Sequence, residues 1–139
     1  MKTELVKIRK AKNSDIDACL KLQKLDNDKY WKIEDFRSSA KNNLVIFLVA
    51  ERESKIVGYI IGFVCPTKKS DVMLHETRVS KKCRGEGIGS ALVDNFVKES
   101  FRRNAKDVYA LIEPELTNFY VRSCGFKKSQ NWMEVKKTK

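Results

Sequence analysis

The sequence predicts a mixed α/β domain of the α+β kind, and three observations carry that expectation. A β-prone run over residues 72–79 leads through a basic turn and three alternating glycines into an apolar series at helical spacing, which reads as strand, glycine-rich turn and helix. Ahead of it, residues 44–50 and 56–64 are two apolar runs rich in β-branched side chains, joined by a polar turn in the manner of a hairpin. Strands and helices are grouped rather than alternating, so the N-terminal half reads as a meander with helices and not as a repeating βαβ unit.

Taken in order, residues 5–10 alternate enough to form a strand. Residues 13–17 then read as a helix start, with Ser14 and Asp17 spaced for a capping-box-like exchange. Ile16, Cys19, Leu20 and Gln23 mark one face of that helix, Tyr30 and Trp31 sit in the following loop, and residues 34–40 predict a second helix. The run at 44–50 is continuous, as in a strand buried on both faces. Residues 51–55 are the hairpin turn, and Gly58 and Gly62 in the next strand signal a bulge or a close backbone approach. After the helix predicted for residues 87–104, residues 107–112 alternate as a strand. Pro114 suits the first turn of a last helix over 115–124, with Glu113 and Glu115 near its positive end and Gly125 just past its C-terminus. Residues 126–129 and 132–136 are expected to close the sheet as a hairpin or splayed pair. No internal repeat or low-complexity linker interrupts the chain, so residues 1–139 are expected to be a single domain.

Composition narrows the function classes. A chain of 139 residues suffices for one core, and no apolar run approaches the roughly 18 residues that a membrane span needs. The first dozen residues are charged throughout, unlike a signal sequence. Four scattered cysteines without a C-x-x-C pair, and a lone His75, leave little vocabulary for a metal site; reduced thiols in a cytoplasm are the expected state. The formal charge of +11 suits either a solvated lysine-rich surface or attraction of a polyanion. Nucleic acid is one such partner, although no recognised nucleic-acid motif accompanies the charge.

The stretch 75–92, HETRVSKKCRGEGIGSAL, organises the rest. Gly85, Gly87 and Gly89 allow positive φ and close approach of a ligand, and a helix starting there aims unpaired N–H groups and its positive dipole end into the turn. With Lys81, Lys82 and Arg84 at the rim, the turn suits a phosphate or pyrophosphate. A P-loop would need Gly-Lys-Ser/Thr, whereas Gly89 is followed by Ser90 and Ala91. A Rossmann turn would follow its strand more directly and need a second βαβ half; Glu113 is the one acid placed to serve it, and the reading stays open.

Arg84-Gly85-Glu86-Gly87-Ile88-Gly89 matches the Q/R-x-x-G-x-G/A signature, and the chain resembles the GNAT superfamily of acyl-CoA-dependent N-acetyltransferases. A second landmark agrees: Phe119-Tyr120-Val121-Arg122-Ser123-Cys124-Gly125-Phe126 is similar to the family's pattern on its last helix, and Ile8 to Ala11 with Asp15 is similar to its opening. The resemblance covers nearly the whole chain. It implies a central mixed, mostly antiparallel twisted sheet of about six to seven strands, flanked by about four helices and splayed at the acyl-CoA site.

The resemblance also implies roles. Arg84, Gly85, Glu86, Gly87, Ile88, Gly89 and Ser90 would cradle the pyrophosphate of acetyl-CoA, the co-substrate, with no metal required. The backbone of Thr77, Arg78 and Val79 would pair with the pantetheine arm and polarise the thioester carbonyl, and Asn118 and Tyr120 would also contact the donor. Tyr120 would protonate the departing thiolate. The base is open between His75, which occupies the position most often acidic in the family, and its neighbour Glu76, which a regular strand would aim at the opposite face unless a bulge intervened. Glu113 and Pro114 depart from the family, standing where an Asn and a longer link are usual. The implied activity is acetyl transfer to a primary amine: a protein N-terminus, a lysine side chain or a small molecule. A non-catalytic GNAT-like domain that binds CoA or nucleic acid is the alternative; on either reading the protein would be a monomer or a homodimer, with no membrane partner.

Acetyl-CoA and CoA, but not NADH or ATP, should therefore raise the thermal midpoint. A ligand at ~100 times its Kd adds about 2.7 kcal/mol, several degrees for a domain of this size. Silence with both CoA forms would remove the pyrophosphate reading of the glycine turn.

Overall fold

The computed structural model describes residues 5–129 and 133–139. Five strands form one sheet in the order β1 (Lys7–Lys10), β2 (Val45–Arg52), β3 (Lys55–Val64), β4 (Asp71–Val79) and β5 (Asp107–Ala110). The first four pair antiparallel with their neighbours, and β5 runs parallel to β4. Helices α1 (Ile16–Leu25) and α2 (Ile33–Lys41) fall between β1 and β2, and α3 (Ile88–Arg102) crosses over from β4 to β5. A 3-10 turn, Pro114–Leu116, continues into a π-helical segment, Phe119–Ser123, which together make the C-terminal helix. No helix of the described residues is long and apolar enough to cross a membrane.

The continuous apolar runs are explained by burial on both sheet faces. On one face Phe47, Val49, Tyr59 and Ile61 pack against Ile16, Cys19 and Leu22 of α1 and Phe36 of α2. On the other, Ile46, Ile60, Val72 and Leu74 pack against Ile88, Leu92, Val93 and Phe96 of α3 and Tyr120 of the C-terminal helix. Burial among α1 pushes the Cys19 thiol up to about 12, so it remains an uncharged packing group. The β2–β3 turn is tight because Glu53 and Ser54 both take positive φ, 52° and 62°.

Two expectations are corrected. The entry to α1 is organised by Asp15 rather than by Ser14 and Asp17: its carboxylate accepts the Lys12 N–H at 2.7 Å and a two-pronged bond from Arg9 at 2.7 and 3.0 Å. Arg9 also donates to Glu51 at 3.1 Å, tying β1, β2 and the helix start together, and it holds the Asp15 carboxyl below its ordinary value against the opposing effect of burial. The sheet has five strands, not six or seven, because among the described residues none follows β5. The stretch expected at 126–129 is irregular, and the one at 132–136 begins outside the described residues. Met133 and Val135 are 85% and 86% exposed among lysines, so strand formation there would gain no buried apolar face.

Gly62 sits where β3 and β4 slip in register and faces α3. An added Cβ would stand 2.3 Å from the Met73 carbonyl oxygen and 2.5 Å from the Phe96 ring. At Gly58 the nearest contacts would be 2.9 Å, to the Arg78 carbonyl oxygen, and 3.1 Å, to a Leu92 methyl. Gly62→Ala should therefore cost roughly 2–3 kcal/mol and more than Gly58→Ala, read as a lower urea midpoint at unchanged slope. Equal midpoints for Gly62→Ala and wild type would contradict this packing.

Candidate active site

The site is built on β4, and one extra residue in that strand decides its geometry. Glu76 pairs with Ile61 and Leu74 with Gly62, so His75 is inserted between consecutive positions of β3. Before the bulge, Val72 and Leu74 point into the α3 core; after it, Thr77 and Val79 do. Glu76 and Arg78 are thereby turned to the opposite face, toward α1 and the loop after it. The bulge left open by the sequence is present, and it reverses the facing of Glu76. It also lies at the mouth of a splay: β5 pairs with β4 only as far as Leu74↔Ala110, while β4 continues to Val79. Residues 75–79 have β3 on one side and no strand partner on the other among the described residues.

Beyond Val79, a 3-10 turn (Lys81–Cys83) delivers the chain to the glycines. Gly85 and Gly87 take φ of +84° and +82°, and a Cβ at either would meet nothing within 4 Å. Their backbone thus borders open space at the start of the 15-residue α3, whose N-terminus no side chain caps. Gly89 serves differently, since a Cβ there would press on the Phe119 ring at 3.2 Å and separate α3 from the C-terminal helix. Ile88 is buried in the core, Ser90 is half-buried, and Asn118 is exposed. An open, uncapped, glycine-lined helix start beside an unpaired strand fits the pyrophosphate and amide-bearing arm of an acyl-CoA.

Tyr120 is 4% exposed, and its hydroxyl donates to Thr77 Oγ1 at 3.1 Å. Burial pushes the phenol above its ordinary value, with the Thr77 bond pulling the other way, so the group is protonated at neutral pH. Its ring is held edge-on between Phe119 and Phe126, with centroids at 4.9 and 5.7 Å. The π-helical turn closes through the Cys124 N–H to the Phe119 carbonyl at 3.1 Å, and Gly125 (φ +76°) reverses the chain so that the Phe126 N–H reaches the Tyr120 carbonyl at 3.0 Å.

On the α1 face the cationic side chains are engaged by carboxylates. Arg78 donates to Asp26 at 2.6 Å, Asp28 at 2.5 Å and Glu76 at 2.6 Å, and its Nε reaches the Tyr59 hydroxyl at 3.2 Å. Arg84 turns back to the Val79 carbonyl at 3.1 Å and to Asp26 at 3.0 Å, with Lys81 at 3.6 Å from the same carboxylate. Burial opposes ionisation of Asp26, but the Arg78 hydrogen bond and the charges of Arg84, Arg78 and Lys81 outweigh it and hold the carboxyl low. The Glu76 carboxylate also accepts from Trp31 Nε1, and His75 Nε2 lies 2.9 Å from the Tyr30 hydroxyl. The Arg78 side chain is thus committed to this network, and only its backbone faces the splay. Glu86 is braced from β2 by Arg52 at 3.2 Å, which also reaches Cys83 Sγ at 2.8 Å.

The structure thus brings together Tyr120 with Thr77, the turn from Arg84 to Ser90 with the end of β4, and His75 and Glu76 with the loop bearing Tyr30 and Trp31. Sequence reasoning missed Asp26, Asp28 and Arg52, which lie far from their partners in sequence and belong to no motif, and it read Gln23 only as part of a helix face. Tyr30-Trp31 was visible only as a pair of loop aromatics. Among the described residues, no group of three or more His, Cys, Asp or Glu side chains is placed to hold a metal ion.

Comparison with known proteins agrees with this geometry. Residues 16–126 match the model of the acetyltransferase (GNAT) family. An uncharacterised N-acetyltransferase of Methanocaldococcus jannaschii is 28% identical over 125 residues, covering 83% of this chain and 71% of that protein. Among solved structures, a predicted acetyltransferase from Clostridium acetobutylicum with acetyl-CoA has a TM-score of 0.75 at 19% identity, over 95% of this chain and 96% of that one. AAC(6')-Iy, an aminoglycoside N-acetyltransferase, bound to a bisubstrate analogue, has a TM-score of 0.82 at 13% identity, over 96% and 99%. These two likenesses carry the fold, and the match over residues 16–126 carries the family. The chain belongs to the GNAT acetyltransferase family and is an acyltransferase that uses acetyl-CoA as its co-substrate.

Proposed function

We infer that the protein moves the acetyl group of acetyl-CoA directly to a primary amine, without a covalent enzyme intermediate, as a single GNAT domain working in the cytoplasm. The observation that carries this reading is the protonated Tyr120 hydroxyl, bonded to Thr77 on the same β4 segment whose backbone lacks a partner beside the glycine turn. Four unpaired cysteines support a reducing compartment. The acceptor is a protein N-terminus, a lysine side chain or a small amine; an aminoglycoside acetyltransferase is among the fold's neighbours, which makes small polyamines a first set to test.

In this reading the N–H groups of the turn from Gly85 to Ser90 bind the donor's pyrophosphate, with Lys81, Lys82 and Arg84 adding charge at the rim. The free edge of β4 over Thr77 to Val79 orients the pantetheine arm and offers a backbone N–H to the carbonyl oxygen where charge develops. Tyr120 gives its proton to the leaving sulfur, a step for which a buried, protonated phenol is suited. His75 and Glu76 stand on the acceptor side, where a proton must leave the incoming ammonium.

Tyr120→Phe should lower kcat by tenfold or more while the Kd for acetyl-CoA, measured by calorimetry, is unchanged. Wild-type turnover in that variant would take Tyr120 out of the mechanism.

A further inference from the structure

The two protonatable side chains on the acceptor side of β4 have different surroundings. The Glu76 carboxylate is engaged at both oxygens: Oε2 accepts from Trp31 Nε1, and Oε1 accepts from Arg78 Nε at 2.8 Å and Nη2 at 2.6 Å. Trp31 is itself fixed, because the buried Gln23 amide donates to its carbonyl at 2.8 Å and accepts its N–H at 2.6 Å. Three of the carboxylate's roughly four acceptor sites are thus taken, by donors held at the loop and on β4. His75, the bulge residue, is exposed and carries no such load. Its ring stands edge-on to Trp31 and Tyr30, with centroids at 4.9 and 5.5 Å, and Nε2 lies 2.9 Å from the Tyr30 hydroxyl. Tyr30 is 61% exposed, and its backbone N–H is held by Asp28 at 3.0 Å.

We propose that His75 is the catalytic base, that Tyr30 passes its proton on to water, and that Glu76 is a positioning residue holding Trp31 against the His75 ring. This rests on the acetyl-transfer reading above. With Nε2–H donating to the Tyr30 oxygen, Nδ1 is free to take a proton from the acceptor ammonium; the Nε2 proton then moves to Tyr30, whose own hydroxyl proton goes to solvent. The nitrogen lone pair so released forms the new C–N bond as the C–S bond breaks. Of the two protons the ammonium nitrogen loses, one leaves by this route. The other goes to the Tyr120 phenolate left when Tyr120 protonates sulfur, so Tyr120 is restored and the products are amide, thiol and one proton. The charged groups around the pair are Glu76 beside His75 on β4, Arg78 bonded to Glu76, and Asp28 bonded to the Tyr30 backbone.

The test measures thiol release from acetyl-CoA by wild type, His75→Ala and Tyr30→Phe. Spermidine, sisomicin, N-α-acetyl-lysine amide and a short peptide with a free N-terminus serve as acceptors, and the fastest is taken forward. His75→Ala should lower kcat about 100-fold, with the Kd for acetyl-CoA unchanged and with turnover restored by added imidazole. Tyr30→Phe, which keeps the ring and removes only the hydroxyl, should lower kcat about tenfold and respond to the same buffer. Turnover within twofold of wild type in either variant, or a loss that imidazole does not restore, overturns the proposal. Wild type that acetylates none of the four amines, whether or not it binds acetyl-CoA in calorimetry, overturns the acetyl-transfer reading itself, and this proposal with it.

Discussion

One inserted residue in β4 is the constraint on which the rest of the site depends. A strand has a side-chain period of two, so without the bulge at His75 every residue from Glu76 onward would face the other way. Thr77 would lose Tyr120, Val79 would leave the α3 core, and Arg78 would be driven among apolar side chains. Gly62 belongs to the same device: it lies opposite Leu74 where the register slips, and the Phe96 ring occupies the space a side chain would need. The Met73 carbonyl and the Phe96 ring thus leave no room for a side chain at position 62, and the splay from β5 begins beside the bulge.

The second organising feature is electrostatic. Arg78 carries Asp26, Asp28 and Glu76 with only 12% of its side chain exposed, and Asp26 extends the network to Arg84 and Lys81. Such a group is stable only while its charges stay matched, since one unpaired partner in a buried cluster costs several kcal/mol. Its placement joins the end of α1 and the following loop to the strand and to the rim of the glycine turn. The loop bearing Tyr30 and Trp31 is thus held to the same frame as the turn proposed to bind the donor, although the two are more than fifty residues apart in sequence.

What the sequence determined by itself was whatever depends on local pattern. Continuous apolar, β-branched runs marked β2 and β3, a β-prone run marked β4, the glycines and basic residues marked the turn ahead of α3, and Pro114 and Gly125 bracketed the last helix. The two landmark motifs singled out Arg84 to Ser90 and Tyr120 because each is a contiguous run. What the tertiary structure alone decided was everything set by contact across the chain: the bulge that turns Glu76 and frees His75, the pairing of Tyr30 with His75, the Gln23 clamp on Trp31, and the carboxylates around Arg78. Gly62 marked a bulge or close approach in β3 but not which residue of β4 would be inserted opposite it, and an ion pair between residues about fifty positions apart has no spacing to read. Residues 126–129 show the converse: they were expected to pair in the sheet but are irregular, because a strand needs a partner edge and a face to bury, which local pattern alone does not supply.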